Sequence, residues 1–362
     1  MNMSKQKLTS PAYVGFGMLT PVIIMTVDQF PRHNTGARVN EVKEFVFDDA
    51  AIVACCLRQW GVETGIIGTA VGNDPRGHAL AHQLEEWGVQ GEVRFTDAYP
   101  TPLEVDVSDR KGARTFFWQR NEEILATLDT ADLSLIKDAR LLYVDWYDGE
   151  EHITRAMKEA DRLGVPVFLN LEHGHKNLKL LKRYAELTFI CQAVTDAAQL
   201  GKNRALLHTA RKLIDAGVEM AVITMAAEGC LVAEGKNAVR VFAPKVRAID
   251  AAGAGAAFSS GFSFGYLQGW SIEKTARFAT AAASLKVTRA GLEMFPQTEI
   301  EALAATLEVE YLTYRDNQFH KISKVIAFQQ KSLERKTRNL ARRVTGSQLL
   351  SKPDRSGGKD QL

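Results

Sequence analysis

AIDAAGAGAAFSSGFSFGYLQG, residues Ala248 to Gly269, is the stretch whose reading decides the fold. Gly253-Ala254-Gly255 sits between a loop and a helix-forming run that starts near Ala256. Small residues at a helix start leave the first N–H groups open to an anion, and the helix dipole favours negative charge there. The pattern is that of a phosphate-holding device. By itself a Gly-x-Gly is equally a structural turn, so the surrounding chain has to supply the context.

Outward from this stretch, strand-like and helix-like segments alternate. Tyr13–Leu19, Val22–Val27, Thr64–Thr69, Leu141–Val144 and Val167–Leu171 are short apolar runs. Ala50–Trp60 and Arg76–Gly88 have helical patterns. Leu187–Cys191, Ala197–Gly217 and Met220–Thr224 make a further βαβ unit. Continuous apolar strands separated by helices predict an α/β fold with a mostly parallel central sheet flanked by helices on both faces. Glu92–Phe95, Leu103–Val107 and Thr115–Trp118 fall outside the alternation. They predict a small β lid over the carboxyl edge of the strands. The expected organisation is an N-terminal tail over 1–12, a body over 13–312 with lid segments near 28–48 and 92–120, and a basic tail over 313–362.

Composition excludes several classes. The chain has 362 residues, is 46% hydrophobic and 24% charged, and carries a formal net charge of +2. These are globular values, not those of a disordered or fibrous chain. No apolar run approaches the roughly 18 residues of a membrane span, so no membrane partner is expected. MNMSKQKLTS is followed by no apolar stretch with a cleavage site, so no signal peptide is expected. Cys55, Cys56, Cys191 and Cys230 show no C-x-x-C spacing and predict free buried thiols, which suits a cytoplasmic location. No His or carboxylate spacing predicts a metal site. Charge is uneven: residues 313–362 hold 12 Lys and Arg against 4 Asp and Glu. A helical segment is predicted from about Asn317 to Val344, carrying Arg335, Lys336, Arg338, Arg342 and Arg343, with a disordered end after Gly346. It reads as a solvated helix or as a docking helix for an acidic protein or nucleic acid.

The decisive stretch resembles the C-terminal signature of the PfkB/ribokinase family of carbohydrate and nucleoside kinases, D-T-x-G-A-G-D-x-F. Other pieces agree in order and spacing. Ile67-Gly68-Thr69-Ala70-Val71-Gly72-Asn73-Asp74 resembles the family's i-G-x-v-G-x-D. Thr224-Met225-Ala226-Ala227-Glu228-Gly229 resembles its T-x-G-x-x-G, and Lys286–Gly291 with Pro296 resembles the helix end beside the adenine. The resemblance spans residues 13 to 312. It implies a ribokinase-like fold, ATP and Mg²⁺ as cofactors, a sugar or nucleoside acceptor, and a homodimer formed through the lid. It implies an anion hole at Gly253, Ala254 and Gly255. It implies nucleotide-side roles for Asp196, Thr224, Glu228, Gly229 and Asp250.

The match fails where the family's chemistry is concentrated. The Asp that takes the acceptor proton falls on Ala256, and a methyl group accepts no proton. The sugar-binding Asp of the first strand falls on Val22. The Gly-Gly-Asn element falls on Phe47-Asp48-Asp49, and the helix Asn after it on Ile52. The Asn-x-x-Glu element falls on Ala193 and Asp196, and Asn170 stands where many members carry Asp. Taken together these losses point to a kinase-like protein with lost or much weakened phosphotransfer and a binding or regulatory role. Two alternatives stay open. One is a divergent kinase in which Asp48, Asp49 or Asp250 replaces the base. The other is a nucleic-acid or complex-assembly factor acting through the tail.

Several residues have plainer readings. Asp48 and Asp49 precede the Ala50 helix and suit a capping role. Arg114 suits a solvated lid position, though it would also reach a phosphate. His173 and His175 suit a polar loop better than a metal pair. Trp60, Trp87 and Trp146 suit packing roles.

Overall fold

Residues 10–147, 151–195, 203–292, 295–315 and 318–321 are described by the computed structural model. The first third of the chain gives β1 (Tyr13–Gly17), β2 (Thr20–Val27), β3 (Val39–Phe47), α1 (Asp49–Gln59), β4 (Thr64–Gly68), β5 (Val71–Gly72), α2 (Pro75–Glu86), β6 (Phe95–Thr96), β7 (Leu103–Ser108) and β8 (Arg114–Gln119). The middle gives β9 (Leu141–Asp145), α3 (Thr154–Leu163), β10 (Val167–Glu172), α4 (Leu178–Tyr184), β11 (Ile190–Val194), α5 (Asn203–Asp215) and β12 (Met220–Thr224). The last part gives β13 (Cys230–Glu234), β14 (Asn237–Val241), α6 (Ala254–Leu267), α7 (Ile272–Lys286), α8 (Gln297–Thr306), β15 (Val309–Arg315) and β16 (Gln318–Lys321).

Ten strands form the central sheet, in the order β16-β15-β14-β13-β12-β11-β10-β9-β1-β4. From β4 to β12 all neighbours are parallel, and from β12 to β16 all are antiparallel. Every residue of β1, β4 and β9 is buried, which is why these strands read as unbroken apolar runs. One core lies between the sheet and α1, α6 and α7, with Tyr143, Phe168, Phe262 and Phe278 among its largest members. A second core fills the other face, under α3 and α5. Each fully buried side chain of this kind contributes roughly 1.5–3 kcal/mol. Trp60 packs edge-on against Phe264 and Phe278, both at 5.4 Å, and Trp87 against Phe45 at 5.5 Å. All four cysteines are free and buried.

Local signals fix the helix starts. The Asp74 side chain accepts from Gly77 N at 2.8 Å with Pro75 in the first turn of α2, and Ser271 caps α7. α6 is apolar all round because it is wedged between α1 and α7. At Gly261 an added Cβ would lie 2.7 Å from Ala279 Cα, so only glycine permits this approach.

The lid is a second sheet, ordered β3-β2-β7-β8. It begins at Thr20, earlier than the expected segment near 28–48. The run Val22–Val27 pairs with β3 and β7 rather than with the central strands. β6 is only two residues long and pairs with β5, outside the lid sheet. The C-terminal end also differs from expectation. The boundary at 312 cuts through β15, which hydrogen-bonds β14 at the sheet edge. The helix expected from about Asn317 starts instead with strand β16, because Gln318–Lys321 pairs antiparallel with Leu312–Arg315. Asp196 and every residue after Lys321, the Arg335–Arg343 cluster included, lie outside the described residues. Among the described residues no helix is long and apolar enough to cross a membrane.

Candidate active site

Strands β1, β9, β10 and β12 all point their carboxyl ends at one cleft, where α/β sheets bind ligands. Lid strand β7 reaches this edge, where Ser108 bonds Asp250. The central element is the turn before α6. Gly253 caps the helix with φ 70°, in the left-handed region, and an added Cβ would strike Leu292 Cδ2 at 2.2 Å. Glycine there is a packing and backbone requirement. Gly255 is different: an added Cβ would meet nothing nearer than Asp49 Oδ2, at 3.9 Å. No crowding demands glycine at 255, and a methyl group would fill the open cradle in front of the first-turn amides. Those amides have no partner within the helix. The cradle therefore fits a phosphate group, as the implied ATP requires.

Ala256 is buried in the first turn of α6 and offers only a methyl group. The carboxylate near the cradle comes from another helix. Asp49 opens α1, its Oδ2 accepts from Asn170 Nδ2 at 3.0 Å, and it faces Gly255. The residue is half-buried. Desolvation first, and then the Glu172 charge, push its pKa up to about 7, against the pull of Arg114 and the Asn170 bond. Asn170 is itself held: Gln192 Nε2 donates to Asn170 Oδ1 at 3.5 Å, and Ser259 Oγ of α6 donates to Gln192 Oε1 at 3.0 Å. This chain of bonds ties the orientation of Asp49 to the cradle helix.

Asp48 does not cap α1 with its side chain, contrary to expectation. Asp145, from the end of β9, takes that role: its Oδ2 accepts from Ala50 N at 2.6 Å. Asp48 has φ 72° and ψ 145°, a backbone shape suited to glycine, and its Oδ2 is buried without a partner. Burial, together with the neighbouring Asp49 charge, raises its carboxyl well above the usual range. Asp145 is raised too, by burial and then by Asp49. Asp48, Asp49, Asp145, Asn170 and Glu172 thus form one polar floor. Val22 is buried in the lid sheet and contributes no polar group.

Asp250 is fully buried and committed elsewhere. Its Oδ2 pairs with Lys286 Nζ at 2.7 Å, and its Oδ1 accepts from Ser108 Oγ at 2.7 Å and from Ala252 N at 2.9 Å. Burial pulls the Lys286 pKa down while Asp250 holds it up. The pair locks the loop before the cradle, and Ser108 bolts lid strand β7 onto it. Asp250 is therefore a structural anchor with no freedom to act as a base.

Of the residues expected on the nucleotide side, Thr224, Glu228 and Gly229 lie together at the end of β12 and the turn after it. Thr224 O accepts from Thr195 N at 3.1 Å, and Glu228 approaches Arg240 at 3.7 Å. Gly229 is required sterically, since a Cβ would sit 2.0 Å from Val241 O. Arg114 is exposed on lid strand β8, as expected, and it also bonds Asp106 Oδ2 at 3.1 Å. His175 is buried, with Nδ1 2.8 Å from Glu172 O, in a short turn after β10. Trp146 packs its ring on Gly174. Among the described residues no three His, Cys, Asp or Glu side chains are placed to hold a metal ion.

Asp145, Glu172, Glu104, Asp106 and Lys286 carry site roles that the sequence reading did not assign. Asp145 and Glu172 directly follow apolar strand runs, at the strand ends where ligands bind. Glu104, Asp106 and Ser108 alternate in Leu103–Ser108, a period-2 signal of a polar strand face.

The pfkB family carbohydrate kinase profile matches residues 21–298. The chain belongs to this family. An ATP-dependent 6-phosphofructokinase of Thermoanaerobacterium thermosaccharolyticum is 23% identical over 69% of this chain and 81% of its own. A nucleoside kinase of Methanothermobacter thermautotrophicus is 24% identical over 75% of this chain and 87% of its own. Among solved structures, Arabidopsis thaliana ribokinase complexed with ribose and ATP is 18% identical with a TM-score of 0.64, covering 82% of this chain and 99% of its own. The ribokinase-like fold of this family member is thereby established.

Proposed function

We infer that this family member is a working phosphotransferase, moving the γ-phosphoryl group of ATP to a hydroxyl of a sugar or nucleoside, with Asp49 in place of the missing base. The carboxylate of Asp49 beside Gly255 carries this reading. The acceptor O–H gives its proton to Asp49 as its oxygen bonds to phosphorus, and the bond from phosphorus to the bridging oxygen breaks to release ADP. The amides of Gly255 and Ala256 face the charge that spreads over the transferred group. Asn170 orients Asp49, and Asp48 offers its unpartnered oxygen to acceptor hydroxyls. Mg²⁺, when bound with the nucleotide, neutralises phosphate charge.

Loss of transfer with a retained binding role is favoured by one observation, the Ala256 methyl group. Acceptor-dependent ADP release by the purified chain separates the two. Turnover that falls about 10²–10⁴-fold in Asp49→Asn supports the relocated base. Nucleotide binding without turnover on a panel of sugars and nucleosides supports the binding role.

A further inference from the structure

Lid strand β8 carries three aromatic residues in a row, Phe116, Phe117 and Trp118, all exposed. The register shows which way each one faces. Ser108 pairs with Arg114, Asp106 with Phe116 and Glu104 with Trp118. Paired residues share a sheet face. That face turns inward, because Ser108 bonds Asp250 at the cradle loop and Asp106 is fully buried. Phe116 and Trp118 therefore lie on the cleft side, while Phe117 stacks with Phe30 on the outer side.

The two cleft-side rings are organised. Arg114 holds its guanidinium 4.9 Å over Phe116, and Phe116 lies 5.7 Å from Trp118 at 31°. Trp118 stands at the end of this ladder and is still 61% exposed, the most exposed large apolar residue of the described chain. Its neighbour in register, Glu104, acts on Asp48 of the floor, as does Arg120. The ladder thus ends at the mouth of the acceptor cleft.

The polar groups beneath it are mostly acidic. Asp48 just before α1, Asp49 on α1, Asp145 on β9, Glu172 on β10, and Glu104 and Asp106 on β7 face Arg114 and Arg120 from the β8 side. Arg114 is occupied by Asp106, Lys286 by Asp250, and Lys43 of β3 by Glu41 at 3.4 Å. Among the described residues, Arg120 alone is left here without a carboxylate partner, 3.9 Å from Met18 Sδ, against six acidic side chains.

We propose that Trp118, supported by Phe116, selects the acceptor: an uncharged ring stacks on its face, and the carboxylate lining below turns away phosphorylated sugars. The ring is either a nucleoside base or the apolar face of a sugar, which share this chemistry. The proposal rests on reading the cleft as the acceptor site.

Calorimetric titration of the full chain with inosine, glucose and fructose 6-phosphate tests it, using the native protein, Trp118→Ala and Trp118→Phe. Stacking of this kind is lost about 10-fold or more in affinity on truncation to Ala, and Phe restores most of it. Inosine weakened by Trp118→Ala identifies a base as the ring; glucose weakened instead identifies a sugar face. Either supports the proposal, provided fructose 6-phosphate binds more weakly than glucose. Three results overturn it: equal affinities in Trp118→Ala and native protein, preference for fructose 6-phosphate, or no binding of either uncharged ring. A change in self-association alone, seen by sedimentation, also overturns it and assigns the face to a second copy. Ring binding that depends on Trp118 without phosphotransfer leaves the proposal standing and removes the kinase reading. Phosphotransfer untouched by Trp118→Ala does the reverse.

Discussion

Asp49 is the residue on which activity and stability pull in opposite directions. Its folded pKa of about 7 lies above the ordinary 3.8, so its contribution to stability is full below pH 4 and is lost as pH rises through 7. As the proposed base it would act in the ionised form, so activity is expected to rise over that upper range. Replacing Asp49 with Asn keeps an acceptor for Asn170 and removes the charge. Asp49→Asn is expected to melt higher than the native chain at pH 8 and to lose transfer 10²–10⁴-fold, checked by thermal unfolding and ADP release. Asp48 gives a second test. A non-glycine residue in its conformation costs of order 1–3 kcal/mol. Asp48→Gly is therefore expected to raise the melting temperature while weakening acceptor binding, read as a higher KM. The sequence displayed both aspartates and the loss at Ala256. It did not display the positive φ of Asp48, nor that Asp145, 95 residues away in the chain, would cap α1 and free both carboxylates for the cleft.

At the scale of elements, the turn before α6 separates two kinds of glycine. Gly253→Ala would force a left-handed residue into Leu292 and is expected to lower stability by more than about 1 kcal/mol. Gly255→Ala meets nothing within 3.9 Å and is expected to fold normally, yet to lose nucleotide affinity because its methyl group fills the cradle. Denaturant unfolding and nucleotide titration of both variants check the contrast. The helix start was legible because Gly-Ala-Gly is followed by a long apolar, helix-forming run. The lid was legible only in part. Alternation exposed β7 and β8, but the Val22–Val27 run reads equally as a buried central strand. Its assignment depends on pairing with β3 and β7, which no local pattern records. The C-terminal edge failed for the same reason, since β15 and β16 are strands by virtue of their partners.

Across the whole molecule, one buried ion pair joins helix α7, lid and cradle. Lys286 ends α7, Asp250 precedes the cradle, and Ser108 belongs to the lid. Removing one partner strands a buried charge. Lys286→Met is expected to cost about 3–5 kcal/mol in denaturant unfolding, whereas Ser108→Ala is expected to cost about 1 kcal/mol and to raise hydrogen exchange across β7. These long-range links are what motif spacing leaves unsaid: Lys286 was visible as part of a helix end, not as the counter-ion of Asp250. The proposed phosphotransfer requires that α1, instead of α6, supply the acid at the cradle. Its most direct test is the pH profile of acceptor-dependent ADP release by the native chain and Asp49→Asn, over sugars and nucleosides. Release by the native chain that climbs through about pH 7, and is at least 10²-fold lower in the variant, is the expected result. Absence of acceptor-dependent release at every pH, or equal rates in the two proteins, would contradict it.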